Sequence, residues 1–218
     1  MIRNIIFDLD GTLIDSAKDI INCLKKSFEE NNIKYNIQNE RILIGPSLND
    51  MIDIVSPNLS NHQKEKLVNK FKEIYDNSDY KNTNLMIGVR ELLDELKEMK
   101  IKIYIATNKR LVPTKRILKK LSIENYFERV FTIDFNNGKL MGKTEVIKYI
   151  INKLKLKKDQ TIYVGDTESD IIAASKNGLK PIIFLNGYGK KEDIFKSKPT
   201  HTINEILDLT AIVNTINE

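Results

Sequence analysis

The chain alternates short β-branched runs with amphipathic helical stripes, and this alternation constrains its fold more than any other feature. Each run is too short for a helix, and strands that are apolar throughout are typical of a sheet buried on both faces. The pattern predicts an α/β fold, a three-layer Rossmann-like core with a parallel sheet. The predicted strands cover residues 2–7, 101–105, 130–133, 161–164 and 181–185.

Residues 14–84 interrupt the alternation and contain no convincing strand. Ser16, with Asp19 three residues later, predicts a capping box at the start of a helix. Helical spacing of apolar residues continues from there and returns over residues 59–75. We therefore predict a small all-helical cap domain at residues 14–84, inserted after the first strand. The α/β core would consist of residues 1–13 and 85–218.

Two acids follow the first predicted strand, in the segment Asp8-Leu9-Asp10-Gly11-Thr12. In an open α/β sheet, ligands bind outside the carboxyl ends of the strands, so these carboxylates should face a site. Strand alternation places Asp8 and Asp10 on the same side, and Gly11 lets the chain leave the strand. Two carboxylates this close repel each other unless a cation or a shared proton relieves them, and Mg²⁺ is the natural cation for oxygen ligands.

Three further segments carry polar residues at strand ends or helix starts. Asp166 and Asp170 follow a later strand, and both can face one ion if the segment between them turns into a helix. Thr107 and Asn108 end another strand and offer donors for phosphate oxygens, beside the N–H groups of the next helix. Lys143 precedes a helical stripe, where an ammonium can offset the charge of carboxylates and phosphate.

Together these segments resemble the four motifs of the haloacid dehalogenase-like hydrolases. The resemblance covers nearly the whole chain, and the insertion is similar to the helical cap of the subgroup that includes phosphoglycolate phosphatases and related nucleotidases. Residues 44–48 resemble a Gly-Pro loop that such caps project over the active site, and residues 186–189 are also similar to that subgroup. The four motifs are Asp8-x-Asp10-Gly11-Thr12, Thr107-Asn108, Lys143 and Gly165-Asp166-x-x-x-Asp170.

The resemblance implies a Mg²⁺-dependent phosphatase acting on small phosphorylated metabolites, phosphoglycolate-like or nucleoside monophosphates. Asp8 would be the nucleophile that forms an aspartyl-phosphate, and Asp10 the general acid and base. Mg²⁺ would be held by Asp8, the backbone carbonyl of Asp10 and Asp166, with Asp170 in support. Lys143 would neutralise the phosphoryl group and orient Asp8. The residues expected to bind phosphate or substrate are Thr107, Asn108, Lys109, Gly11 and Ser47.

The choice of lysine and the reaction class leave alternatives. Many relatives carry proline directly after the lysine, whereas Thr144 follows Lys143 here, so Lys139 is the reserve for the same role. A phosphosugar mutase, a pyrophosphate-cleaving enzyme or a non-catalytic protein that binds a phosphorylated ligand would suit the same scaffold. The acid at Asp10 favours cleavage of a C–O–P linkage, because dehalogenases and phosphonatases that resemble this pattern lack it.

Composition argues against several other classes. The formal net charge is +5, without an arginine-rich block or clustered aromatics, so no nucleic-acid partner is expected. The single cysteine, Cys23, cannot form an intramolecular disulfide, and no Cys/His spacing resembles a zinc site. No apolar stretch approaches the roughly 18 residues of a membrane span. We expect a cytoplasmic monomer or homodimer with no membrane partner.

Overall fold

A parallel β-sheet is the centre of the structure. A computed structural model describes residues 1–37, 44–45, 47–136, 138 and 140–218. Its strands are β1 (Asn4–Phe7), β2 (Ile14–Asp15), β3 (Asn84–Leu85), β4 (Lys102–Thr107), β5 (Arg129–Thr132), β6 (Thr161–Gly165), β7 (Lys180–Phe184) and β8 (His201–Ile203). Six of them form one sheet in the order β5-β4-β1-β6-β7-β8, and every neighbouring pair is parallel. The predicted α/β class is confirmed.

Helices cover both faces of this sheet. They are α1 (Ala17–Glu30), α2 (Leu48–Val55), α3 (Asn61–Asp76), α4 (Val89–Glu98), α5 (Leu111–Lys120), α6 (Lys143–Leu154), α7 (Glu168–Lys176), α8 (Lys191–Lys196) and α9 (Asp208–Asn217). Ile5 and Phe7 of β1 pack in one apolar cluster with α4 and α9, whereas Ile6 packs in the opposite cluster with α6 and α7. This alternation produces the predicted three layers. Among the described residues, no helix has the length and apolar character needed to cross a bilayer.

Helices α1, α2 and α3 occupy the segment predicted as the insertion. Their buried side chains, such as Leu24 and Phe28, belong to the same apolar cluster as one face of the sheet. Strands β2 and β3 pair as an antiparallel ribbon, with Ile14 opposite Leu85, where the chain leaves the sheet and returns to it. We keep residues 14–84 as the proposed extent of the cap.

The predicted capping box at Ser16 is wrong, although a helix does begin directly after this residue. The Ser16 side chain makes no cap hydrogen bond, and its hydroxyl donates to Asp10 instead. The Asp19 carboxylate accepts from the backbone N–H of Asn82 at 3.0 Å and from the Thr83 hydroxyl at 2.7 Å. Tertiary partners thus replace the local cap, and Asp19 ties α1 to the segment that returns to the sheet.

Several short elements were not predicted from the sequence: the two-residue strands β2 and β3 at the ends of the helical segment, the helix α8, and β8 and α2. Strand β8 adds a sixth strand of only three residues, of which His201 and Thr202 are exposed. Helix α2 has eight residues and begins with a capping box in which the Ser47 hydroxyl accepts from the backbone N–H of Asp50 at 3.3 Å. Both are too short for hydrophobic periodicity to identify them.

We predict that Cys23 is inert in the native protein. It lies in α1 with 7% of its surface exposed. Burial, together with the nearby Asp19 carboxylate, raises the pKa of its thiol to about 11. Because the thiolate is the reactive form, a disulfide reagent at mildly alkaline pH should leave the folded protein unmodified and should react fully in urea.

A cysteine on the exposed surface of α7 provides the control for this measurement. Ser175 is exposed, so Ser175→Cys in a Cys23→Ala background should react without urea. Rapid labelling of Cys23 in the native protein, at a rate similar to that of this control, would contradict the packing of α1.

Candidate active site

The carboxyl ends of three neighbouring strands bring predicted site residues to one edge of the sheet. Strand β1 lies between β4 and β6. The backbone N–H of Asp8 donates to the carbonyl of Val164 at 2.8 Å, which extends the pairing of β1 with β6 by one residue. Asp8, Thr107 and Asp166 therefore emerge at the same edge, where an open α/β sheet binds its ligands.

Three carboxylates form a buried cluster at this edge. Oxygen atoms of Asp8, Asp166 and Asp170 lie within 4.8 Å of one another. Lys143, the first residue of α6, reaches into the cluster, with its Nζ 3.0 Å from Asp8 Oδ2 and 2.6 Å from Asp170 Oδ1. Residues from three distant parts of the sequence thus meet in one place.

Both carboxylate oxygens of Asp170 are engaged. Its Oδ2 accepts from the backbone N–H groups of Asp166 at 3.2 Å and Thr167 at 3.0 Å, and from the Thr167 hydroxyl at 2.6 Å. Its Oδ1 accepts from the Tyr163 hydroxyl at 2.9 Å as well as from Lys143. These donors orient the carboxylate, so Asp170 in turn holds the Lys143 ammonium beside Asp8.

The Asp166 carboxylate is fully buried and is oriented by two donors. The Thr12 hydroxyl donates to Oδ1 at 2.9 Å, and the backbone N–H of Tyr188 donates to Oδ2 at 2.7 Å. Gly11 has a φ of +84°, and a Cβ added there would lie 2.2 Å from Asp166 Oδ2. A Cβ at Gly187 would lie 2.3 Å from Asp166 Cβ. Only glycine permits both approaches.

The cluster contains more negative than positive charge. Three carboxylates meet one ammonium, so with all three ionised the negative charges among these four residues would outnumber the positive one. Burial raises the pKa of Asp8 to about 7, against the opposing effect of Lys143. Burial and the charge of Asp170 raise the pKa of Asp166 well above its usual range. A buried set of oxygen ligands with this excess charge fits a hard divalent cation such as Mg²⁺.

Lys143 and Asp170 form the ionised pair of the cluster. Burial by itself would raise the pKa of Asp170, but Lys143 and the donors of Thr167 lower it below its usual value. Burial also opposes protonation of Lys143, yet the carboxylates of Asp170 and Asp8 raise the pKa of the ammonium. The lysine therefore stays charged beside Asp8 throughout the neutral pH range.

The Asp10 side chain lies beside this cluster and not in it. Its Oδ1 accepts from the Ser16 hydroxyl and lies 3.0 Å from the Nζ of Lys109. Its carboxylate is absent from the group of acidic side chains that the described part of the chain brings within metal-binding distance. Asp8 and Asp10 thus have different environments despite their proximity in the sequence.

A cavity of about 170 Å³ opens between this edge and helices α1, α2 and α3. Apolar side chains from the helices form much of its wall, including those of Ile20, Met51 and Phe71. Gly45 also lines it, and a Cβ added to Gly45 would lie 3.3 Å from Thr167 Cγ2, so this loop approaches the sheet edge closely. The polar and charged lining residues are Asp8, Asp10, Ser47, Asn49, Lys72, Thr107, Asn108, Lys109, Arg110 and Lys143.

The structure therefore brings the predicted site residues together. Those that line the cavity are Asp8, Asp10, Ser47, Thr107, Asn108, Lys109 and Lys143, while Asp166, Asp170 and Gly11 lie in or against the acidic cluster. The Ser47 hydroxyl also caps α2. Lys139, the reserve for Lys143, lies outside the described residues.

Sequence reasoning assigned no role to Thr12, Tyr163, Thr167 or Tyr188, which orient the acids. Tyr188 makes the widest set of contacts: besides its N–H on Asp166, its hydroxyl donates to Asp15 Oδ1 at 2.7 Å and accepts from the backbone N–H of Ser16 at 2.8 Å. Thr12 and Tyr188 stand in segments that carry the family resemblance, which was their only signal. Thr167 stands three residues before Asp170, the spacing of a capping box, so a local signal for it was present. Tyr163 has none, because its contact with Asp170 depends on the tertiary structure.

Known proteins resemble this chain over nearly its whole length. The family profile described as haloacid dehalogenase-like hydrolase matches residues 5–184. A phosphoglycolate phosphatase from Aquifex aeolicus is 30% identical over 213 residues, which covers 97% of either chain. A 5'-nucleotidase from Pseudomonas aeruginosa is 24% identical over 211 residues, 96% of this chain and 95% of its own. The crystal structure of a predicted phosphatase from Clostridium acetobutylicum superimposes with a TM-score of 0.88 at 27% identity and covers 99% of both chains.

We predict that Gly11→Ala destabilises the protein more than Gly178→Ala. The φ angles are +84° and +73°, so alanine costs about 1 to 2 kcal/mol at either position. At Gly11 the new Cβ would also lie 2.2 Å from Asp166 Oδ2, whereas at Gly178 its nearest neighbour is Lys158 Cδ at 3.4 Å. Urea unfolding should show an extra loss of at least about 1 kcal/mol for Gly11→Ala. Equal losses would contradict the close packing of Gly11 on Asp166.

Proposed function

The chain belongs to the haloacid dehalogenase-like hydrolase family, and from this membership we propose that it is a Mg²⁺-dependent phosphatase of small phosphorylated metabolites. The hydrolase class, acting on phosphoric monoesters, agrees with its phosphatase relatives. One observation carries the proposal: the buried Asp8 lines the cavity, with the Lys143 ammonium 3.0 Å away and two further acids beside it. This arrangement suits covalent transfer of a phosphoryl group to a carboxylate.

The reaction would begin with attack of an Asp8 carboxylate oxygen on phosphorus. A bond forms between that oxygen and phosphorus, the ester P–O bond breaks, and the leaving alkoxide takes a proton from Asp10. Asp10 would then take a proton from water, whose oxygen attacks phosphorus to release inorganic phosphate and free Asp8. The different surroundings of the two carboxylates, one in the acidic cluster and one against Lys109, support their different roles.

Lys143 and the end of β4 would hold the phosphoryl group. Lys143 can neutralise its oxygens while orienting Asp8, because its ammonium is kept in place by Asp170. Thr107 and Asn108 line the same cavity as Asp8 and would donate to the remaining oxygens. Gly11, Lys109 and Ser47 complete the proposed set of phosphate or substrate contacts.

Asp8, Asp166 and the backbone carbonyl of Asp10 would hold Mg²⁺. Asp8 and Asp166 are supported as ligands by the excess negative charge of the cluster and by its carboxylate oxygens, which lie within 4.8 Å of one another. The carbonyl of Asp10 is included because of the family resemblance. Asp170 would support the site from behind, since its oxygens already accept from Lys143 and protein hydroxyls. When bound, the ion supplies positive charge that offsets repulsion between an anionic substrate and the Asp8 carboxylate.

The substrate class that we propose is phosphoglycolate-like molecules or nucleoside monophosphates. The names of the Aquifex and Pseudomonas relatives support these two groups. The cavity volume of about 170 Å³ suits the small leaving group of a phosphoglycolate-like substrate, and its wall of side chains from α1, α2 and α3 would limit the access of bulk water during the first transfer step. The proposed cap would open to admit the substrate and release the product.

We predict that the purified protein releases inorganic phosphate from such esters in Mg²⁺ and loses this activity in EDTA. Asp8→Asn preserves the size of the side chain but removes the nucleophilic carboxylate, so kcat should fall by about 10³-fold or more. Asp159→Asn, the same substitution at an exposed position, should retain wild-type turnover.

Two results of this assay would contradict the phosphatase. Turnover by Asp8→Asn at the wild-type rate would exclude Asp8 as the nucleophile. A requirement for an added sugar bisphosphate, with little net phosphate release, would favour the phosphosugar mutase instead.

We also predict that Mg²⁺ stabilises the folded protein through Asp166. A ligand specific for the native state raises the free energy of unfolding by about 2.7 kcal/mol at a concentration of 100 Kd. Asp166→Asn removes the buried charge, so urea unfolding of this variant should show no Mg²⁺-dependent shift, whereas Asp159→Asn should keep it. An undiminished shift in Asp166→Asn would exclude Asp166 as a ligand.

A further inference from the structure

The hydrogen bond and the ion pair of the Asp10 carboxylate both involve the same oxygen, Oδ1. Oδ1 accepts from the Ser16 hydroxyl and also lies 3.0 Å from the Lys109 ammonium. For Oδ2, the described residues supply no hydrogen bond or ion pair, and Asp10 lines the cavity. Because both donors converge on Oδ1, they leave Oδ2 as the oxygen available for proton transfer.

Lys109 is buried between the sheet edge and the helices of the proposed cap. Only 4% of its side chain is exposed. Its Nζ donates to the Tyr75 hydroxyl at 2.8 Å and lies 4.7 Å from the centre of the Tyr75 ring. Its backbone N–H donates to the Thr107 side chain at 3.1 Å, which orients the turn that carries it. Asp10 and Tyr75 together therefore engage two of the three N–H groups of the ammonium.

Tyr75 connects this ion pair to the proposed cap. It lies near the end of α3, with 2% of its surface exposed, and its ring stacks on that of Phe71 at a centroid separation of 5.3 Å. Lys109 follows β4 in the core and touches both Tyr75 and Asp10. A single side chain thus joins α3 to the carboxylate that our proposed reaction uses for proton transfer.

We propose that Lys109 is a positioning residue that aims Asp10 at the leaving group, with Tyr75 holding the ammonium in place. This inference rests on the proposed phosphatase function and gives Lys109 a role that acts through Asp10 in addition to any contact with phosphate. Misaligned Asp10 would protonate the leaving oxygen poorly. The defect should be largest for esters whose leaving group most needs a proton.

The test compares benzyl phosphate with 4-nitrophenyl phosphate. The two esters carry similar rings, but the benzyl alkoxide needs a proton to leave, whereas 4-nitrophenolate leaves readily without one. The ratio of their kcat/KM values reports the first transfer step, before hydrolysis of the phosphorylated enzyme. In Lys109→Met, kcat/KM for benzyl phosphate should fall about 10-fold further than that for 4-nitrophenyl phosphate.

Two further variants make the test specific. Tyr75→Phe keeps the ring and its packing but removes the hydroxyl, so it should lower the same ratio by about threefold. Lys115→Met removes an exposed lysine of α5 and should leave the ratio unchanged. Circular dichroism and urea unfolding would establish that each variant is folded, and the Tyr75→Phe result stands by itself if Lys109→Met does not fold.

The outcomes separate this inference from the proposed function. Equal losses of kcat/KM for both esters would mean that Lys109 contacts the phosphoryl group only, and an unchanged ratio in Tyr75→Phe would remove Tyr75 from the scheme; either result overturns the proposal. If the wild-type protein hydrolyses neither ester nor any metabolite in Mg²⁺, the phosphatase function fails and the role of Lys109 fails with it.

Discussion

The contact of the Lys143 ammonium with Asp8 and Asp170 is the interaction on which the rest of the site depends. Transfer of charged groups out of water costs several kcal/mol for each ion, so a buried lysine persists only where carboxylates surround it. Asp170 is one of these carboxylates. Its own burial is offset by the hydrogen bonds that its oxygens accept from the hydroxyls of Tyr163 and Thr167. Loss of one partner from such a pair typically costs about 3 to 5 kcal/mol. The same contact that permits burial also places a positive charge beside Asp8.

Close contacts with Asp166 also stabilise the acidic cluster. The first turn after β1 reaches Asp166 because Gly11 has no side chain, and Thr12 can then donate to the same carboxylate. Tyr188 adds its backbone N–H to Asp166, while its hydroxyl contacts Asp15 and the N–H of Ser16 at the entrance to α1. The residue that orients a proposed metal ligand therefore also anchors the start of the proposed cap.

Polar contacts also recur within the proposed cap and where it meets the core. Asp19 binds the returning segment at Asn82 and Thr83, and Lys109 contacts Tyr75. Apolar burial joins α1, α2 and α3 to the sheet, but it is not directional. The hydrogen bonds add direction, because each requires a donor and an acceptor in one geometry. These hydrogen bonds therefore help to set the orientation of the helices that form the cavity wall near Asp8.

The sequence by itself determined the sheet of parallel strands, the helical segment after β1 and the set of polar residues at the strand ends, because hydrophobic periods and motif spacing are local properties. It could not reveal β8, whose three residues are mostly exposed, or the true partner of Ser16, which bonds to Asp10 and not to its own helix. Only the tertiary structure decided which donor reaches each carboxylate: Tyr163 on Asp170, Tyr188 on Asp166 and Lys109 on Asp10. The physical reason is that these contacts depend on how strands, turns and helices pack, which no local pattern of residues encodes.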